Sequence, residues 1–208
     1  MAEATIAAAQ PLGYVYREAM GRVMRGWALA MLGDAPQGVR EIAGGLATSR
    51  ATGARMDDPH YLALLGEAHL RAGGLDAGLA AVAEALEIAH RERALFYEPE
   101  LHRLDGGLRA AAGDDAEAEA SLRRGLARAR EQGSIVLELR IAADLARLLP
   151  EAGRAAEARA AVLATYARFE AGFETRDLRE AAALLDLAPQ SSTPAPARTR
   201  TSAPSATR

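Results

Sequence analysis

Along most of the chain apolar residues recur three or four positions apart. Leu75, Leu79, Val82, Leu86 and Ala89 form one such stripe, Leu101, Leu104, Leu108 and Ala111 a second, and Ala118, Leu122, Leu126 and Ala129 a third. That spacing marks one face of an α-helix. Segment 61–72 is apolar nearly all round, which predicts a helix packed on both sides. Alternating apolar and polar runs of the strand kind are absent. The elements therefore read as helices in pairs, each pair broken by a glycine.

Those glycines, Gly33, Gly73, Gly113 and Gly153, stand 40 residues apart. They fall where the first helix of each pair should stop, a position that asks for a left-handed backbone. Other columns keep the same interval. Seven residues before each glycine lies Gly26, Gly66, Gly106 or Ala146, and five after lies Gly38, Gly78, Ala118 or Ala158. Further on come Ile42, Val82, Leu122 and Val162, then Gly45, Ala85, Gly125 and Thr165, then Leu46, Leu86, Leu126 and Tyr166. A fixed period of this length signals one supersecondary unit repeated along the chain. The small columns mark where paired helices cross closely. Asp34 and the pair Asp114–Asp115 follow two of the glycines and can cap the next helix. Asp115, Glu117 and Glu119 open a helix that Arg128 and Arg130 close, in keeping with its dipole.

The order small, glycine, small, aliphatic, small is similar to the tetratricopeptide (TPR) pattern, with a period longer than the roughly 34 residues usual there. Segments 61–73 (YLALLGEAHLRAG), 100–104 (ELHRL), 113–120 (GDDAEAEA) and 172–181 (GFETRDLREA) narrow the match. They resemble the C-terminal helical-repeat region of large bacterial signalling proteins, in which a class III adenylate/guanylate cyclase or transcription-regulator domain precedes a predicted ATPase and these repeats. The resemblance spans 14–188. It implies an all-α fold: a right-handed α-solenoid of about four TPR-like hairpins plus a C-terminal capping helix. The reading divides the chain into a short N-terminal segment (1–13), the repeat domain (14–188) and a disordered Pro/Ser/Thr/Arg tail (189–208). Thr175 to Leu187 is the expected capping helix, with Leu178, Ala182 and Leu185 on one face. Ala4 to Gln10 is expected to be a short helix at best before Pro11 and Gly13.

Composition removes the relatives' chemistry. All 25 basic residues are arginine. A phosphate-cradling loop needs its lysine, so nucleotide hydrolysis of that kind and Schiff-base catalysis are excluded, and no cyclase metal site fits an all-helical chain. No enzyme activity and no cofactor are expected. Cysteine is absent, which removes disulfides and thiolate chemistry. Aromatics make only 4% of the chain, so alanine and leucine form the core. No apolar run approaches the roughly 20 residues of a membrane span, and Met1 to Gln10 carries no basic n-region; the expectation is a cytoplasmic protein. The lack of lysine and asparagine suggests a GC-rich bacterial genome. Net charge is −3, and the tail holds Arg198, Arg200 and Arg208 without an acid, a solvated end rather than a tether.

Four histidines, His60, His69, His90 and His102, lack the spacing of a metal motif and read as structural. Arg123, Arg124, Arg128 and Arg130 interleave with Glu117, Glu119 and Glu131, a solvated face and not a nucleic-acid surface. The resemblance places Met20, Val23, Trp27 and Met31 on the concave face in repeat one. Repeat two gives His60, Ala63 and Glu67, repeat three Glu100 and Arg103, repeat four Arg140 and Arg147. It thus implies a groove with an apolar end and a charged middle, fit for a protein or peptide partner such as a cyclase or ATPase signalling component. The opposing reading has Trp27 filling the contact between repeats one and two. The lysine and asparagine of a chaperone-tail clamp are missing. The expected function is a non-catalytic interaction or regulatory module of bacterial signalling. A truncated relic of such a regulator, or a small-molecule sensor, are the alternatives; no polar constellation in the sequence marks a sensor site.

Overall fold

A computed structural model describes residues 1–149 and 154–187 of the chain. Gly153 and the tail 189–208 lie outside them. The described residues form helices and turns with no strand: α1 (Ala2–Ala9), α2 (Val15–Met31), α3 (Ala35–Ala51), α4 (Asp58–Ala72), α5 (Leu75–Glu92), α6 (Glu98–Ala111), α7 (Asp115–Glu131), α8 (Ile135–Leu148), α9 (Ala155–Tyr166) and α10 (Arg176–Leu184). Consecutive helices pack in pairs, and the pairs stack in chain order as a solenoid. The first helices α2, α4, α6, α8 and α10 also pack on one another in sequence, while the second helices pack chiefly on first helices. The row of first helices is therefore the tighter, inner one. None of the helices is long and apolar enough to cross a membrane among the described residues.

The turns explain the period. Gly33, Gly73 and Gly113 have φ of 108°, 75° and 81°, the left-handed backbone their positions require. A second set lies midway: Gly13, Gly53, Arg93 and Gly133, with φ of 66°, 88°, 56° and 66°. From Gly13 to Gly133 the chain thus reverses every 20 residues. Arg93 breaks the run of glycines, which hides this shorter interval in the sequence. Asp34 and Asp114 accept hydrogen bonds from the N–H groups of Gln37 and Glu117, and Pro59 and Pro99 sit in first turns where a missing N–H costs nothing.

Within hairpins the small columns are crossing points. A Cβ on Gly26 would stand 2.7 Å from the Gly38 carbonyl oxygen, and one on Gly38 would stand 2.6 Å from that of Gly26. On Gly66 it would meet Val82 Cγ2 at 2.7 Å. Around these contacts Ile42, Leu62, Val82, Leu101, Leu122, Leu139 and Val162 are almost wholly buried.

Between hairpins a polar clasp recurs. A side chain near the end of one second helix bonds an acid eight residues later, at the start of the next first helix. The four clasps are Gln10–Glu18 (3.3 Å), Arg50–Asp58 (2.8 Å), His90–Glu98 (2.9 Å) and Arg130–Glu138 (2.8 Å). Asp58, Glu98 and Glu138 are buried. Glu98 and Glu138 gain a second cationic partner each, Arg128 and Arg168. Burial alone would raise their pKa values, but the clasp residues and these arginines outweigh it and hold both low. Position 88 is the counterpart of Arg128 and Arg168, and holds Ile88, so one oxygen of Asp58 has no hydrogen-bond partner.

α1 takes the place of a shortened second helix: Ile6 and Ala9 are buried, Ile6 lies over Gly21 of α2, and Gln10 makes the first clasp. At the other end Leu178, Ala182 and Leu185 are buried as expected. The last helix stops at Leu184 and not Leu187, because Asp186 turns left-handed (φ 53°) and Arg159 donates to the Leu184 and Leu185 carbonyls.

Candidate functional site

Positions 20, 24, 27 and 31 of α2 form one helical stripe, and positions 60, 64 and 67 of α4 another. Met20, Met24, Met31, His60, Leu64 and Glu67 are half-buried, and Trp27 is 37% exposed. The Trp27 indole N–H donates to Glu67 Oε2 at 2.8 Å, joining α2 to α4. Trp27 thus bridges repeats one and two and still faces solvent. Val23 differs from expectation. It is wholly buried, and a Cβ on Gly45 would touch it at 2.7 Å, so it belongs to the hairpin interior and not to a groove. Ala63 is buried as well.

The charged middle is closed upon itself. Arg103 makes two bonds to Glu100 (2.9 and 2.7 Å) and one to Asp144 of α8 (3.0 Å). Burial would lower its pKa, but these carboxylates push it up, so the guanidinium stays charged. Arg147 bonds Asp144 (2.7 Å) and Glu180 of α10 (2.9 Å), and Arg140 bonds Asp177 (2.7 Å). Arg176 bonds Glu180, which raises its pKa, and the charge of Glu67 on α4 adds in the same direction. Each arginine expected to greet a ligand from this face already has carboxylate partners.

A second cluster sits at the first joint, where α2 and α4 begin. The Tyr16 hydroxyl donates to Asp57 Oδ2, and the bond raises the Tyr16 pKa. Tyr61 is 2% exposed and its hydroxyl has no hydrogen-bond partner; burial, then Tyr16 and Asp57, push its pKa up. His60 stacks on Tyr97 with ring centroids 5.6 Å apart, and Phe96 meets Tyr97 edge-on at 5.3 Å. Burial lowers the His60 pKa against the pull of Asp57 and Glu100. Beside Tyr16 lies an open cavity of about 470 Å³, lined by Tyr14, Val15, Tyr16, Arg17 and Thr52. Sequence reasoning singled out only His60 here. The signal it passed over is the crowding of tyrosine at positions 14, 16, 61 and 97 in a chain with five tyrosines.

The remaining histidines lie within their own hairpins or joints. His69 borders Gly74 and Gly78, His102 borders Gly125, and His90 serves as a clasp. No group of three or more His, Asp or Glu side chains is placed to hold a metal among the described residues. Arg123 bonds Glu119 at 2.7 Å and Arg128 bonds Glu131 at 2.6 Å, an ion-paired face as expected. The chain matches no protein-family model and no curated protein.

Proposed function

We propose that the chain is a non-catalytic docking module of tetratricopeptide type, akin to the repeat region of bacterial cyclase–ATPase regulators. Its partner is a protein or peptide segment that settles on α2 and α4. One observation carries this reading: Trp27, Met20, Met24 and Met31 form a partly exposed apolar stripe on the inner row, in the half that arginine–carboxylate bonds leave open. Tryptophan is a frequent interface anchor and methionine adapts its shape to varied ligands. A helix or peptide laid there would bury apolar surface without breaking an ion pair.

A photo-crosslinking residue at position 27 tests this in the native cell. It should trap one partner, and the same residue at Arg40, exposed on α3, should trap none. Trapping at Arg40 alone would place docking on the outer row and end this reading. The sensing alternative has one observation in its favour, the polar cluster around Asp57.

A further inference from the structure

Position 57 departs from the repeat. Its counterparts are Arg17, Tyr97 and Leu137, and the acid that clasps this joint is its neighbour Asp58. Asp57 is the N-cap residue of α4, yet its side chain makes no capping bond and turns instead to Tyr16. Of the half-buried and buried carboxylates among the described residues, only Asp57 and Glu67 have no arginine or histidine bonded to them. Glu67 is engaged by Trp27 and sensed by Arg176. Asp57 meets only neutral hydroxyls, Tyr16 as its donor and Tyr61 beside it.

Its surroundings are equally singular. The chain holds nine aromatic residues, one Trp, five Tyr and three Phe. Tyr16, Tyr61 and Tyr97 lie within reach of Asp57, with His60 stacked on Tyr97; Tyr14 lines the cavity beside Tyr16, and Phe96 meets the Tyr97 ring edge-on. Packing alone does not account for them, since Tyr14 is 58% and Phe96 74% exposed while the buried Tyr61 hydroxyl is left without a bond. An unpaired buried hydroxyl is destabilising unless something arrives to satisfy it.

We propose that Asp57 and the rings around it bind an organic cation, an ammonium or guanidinium group, at the first joint. The carboxylate supplies the counter-charge, and aromatic faces attract a cation through their quadrupoles. An N–H of the ligand would donate to the Tyr61 oxygen and leave that hydroxyl free to donate in turn. His60 does not pre-empt the site, because burial favours its neutral form. Arg17 is the internal rival: it is exposed in the cavity wall and makes no ion pair among the described residues. The same chemistry is offered by a free amine metabolite and by a basic side chain of a partner.

Calorimetric titration of the full chain with propylamine, with agmatine and with a short arginine-centred peptide separates these sources. At least one probe should saturate. Binding by the small amines alone assigns the site to a metabolite; binding by the peptide assigns it to a partner's side chain. Asp57→Asn keeps an oxygen for Tyr16 and should weaken binding at least tenfold at an unchanged melting temperature. Glu87→Gln, on the exposed face of α5, should bind as the parent does. Three results would overturn the proposal: no probe binds, Asp57→Asn binds undiminished, or binding is lost in Arg17→Ala, which would reveal an anion site. Crosslinking at Trp27 is independent of all three.

Discussion

Between α2 and α4 the cross-helix bonds run from a tyrosine hydroxyl to Asp57 and from an indole N–H to Glu67. Between α6 and α8, and again between α8 and α10, they run from guanidinium groups to Asp144, Asp177 and Glu180. The backbone geometry is shared, and the acceptors are carboxylates in both halves. Only the donors differ. A neutral donor satisfies a lone pair and leaves the charge standing; an arginine cancels it. The N-terminal half therefore keeps apolar surface and unspent negative charge, and the C-terminal half has consumed its own.

The comparison extends to the hairpin crossings, where the largest effect is expected. A Cβ at Gly26 meets a backbone oxygen at 2.7 Å and the Glu41 and Ile42 side chains at 2.8 Å, whereas one at Gly106 meets chiefly the Leu122 side chain at 2.6 Å. Side chains yield more readily than backbone. Gly26→Ala should cost about 3 kcal/mol and Gly106→Ala about 1 kcal/mol in thermal or urea melts. Equal losses would show that the two crossings are equally rigid.

Next comes Arg103→Leu, which strands the half-buried Glu100 and leaves Asp144 with Arg147 alone. A loss of about 2 kcal/mol is expected, with faster amide exchange confined to α6 and α8. High salt should loosen the α8–α10 joint more than the α2–α4 joint, because screening acts on charge pairs.

The clasps give a pH test. Glu98 and Glu138 have pKa values held below their ordinary 4.5. Their folded forms bind protons less readily than the unfolded chain, so the stability they contribute is present above about pH 4.5 and lost as pH falls through the lower folded values. Glu138→Gln should flatten that acid limb and cost about 1 kcal/mol at neutral pH. An unchanged acid limb would deny the clasp its electrostatic role.

The smallest effect is Trp27→Phe, about 0.5 kcal/mol, since a partly exposed hydrogen bond is replaced largely by water. Its stability loss should be the same in low and high salt. A marked salt dependence would mean that Glu67 is held by Arg176 and not by the indole.

Much of the architecture was legible because it rests on columns of similar residues. Gly33, Gly73 and Gly113, with the small residues around them, announce hairpins whose crossings tolerate no side chain. The clasps were not legible, since Gln10, Arg50, His90 and Arg130 share a role without sharing a type. The tetratricopeptide resemblance put Met20, Val23 and Trp27 on one face; the structure leaves Trp27 partly exposed and Met20 half-buried, and buries Val23, one position from Met24 and turned toward Gly45. The pairing of Arg103, Arg140 and Arg147 depends on partners in neighbouring hairpins, 33 to 41 residues away or within one turn. The Asp57 cluster draws on residues from three first-helix starts and has no linear motif.

The clasp eight residues long has a further consequence for how such an array changes over generations. Because four successive joints pair a donor with an acid at the same offset, a unit duplicated or deleted among them rejoins its neighbours with the fastening already in place. Gain or loss of whole units would then preserve the stack while altering its length, whereas the chemistry at Asp57, drawn from three successive units, would persist only where those three stay together.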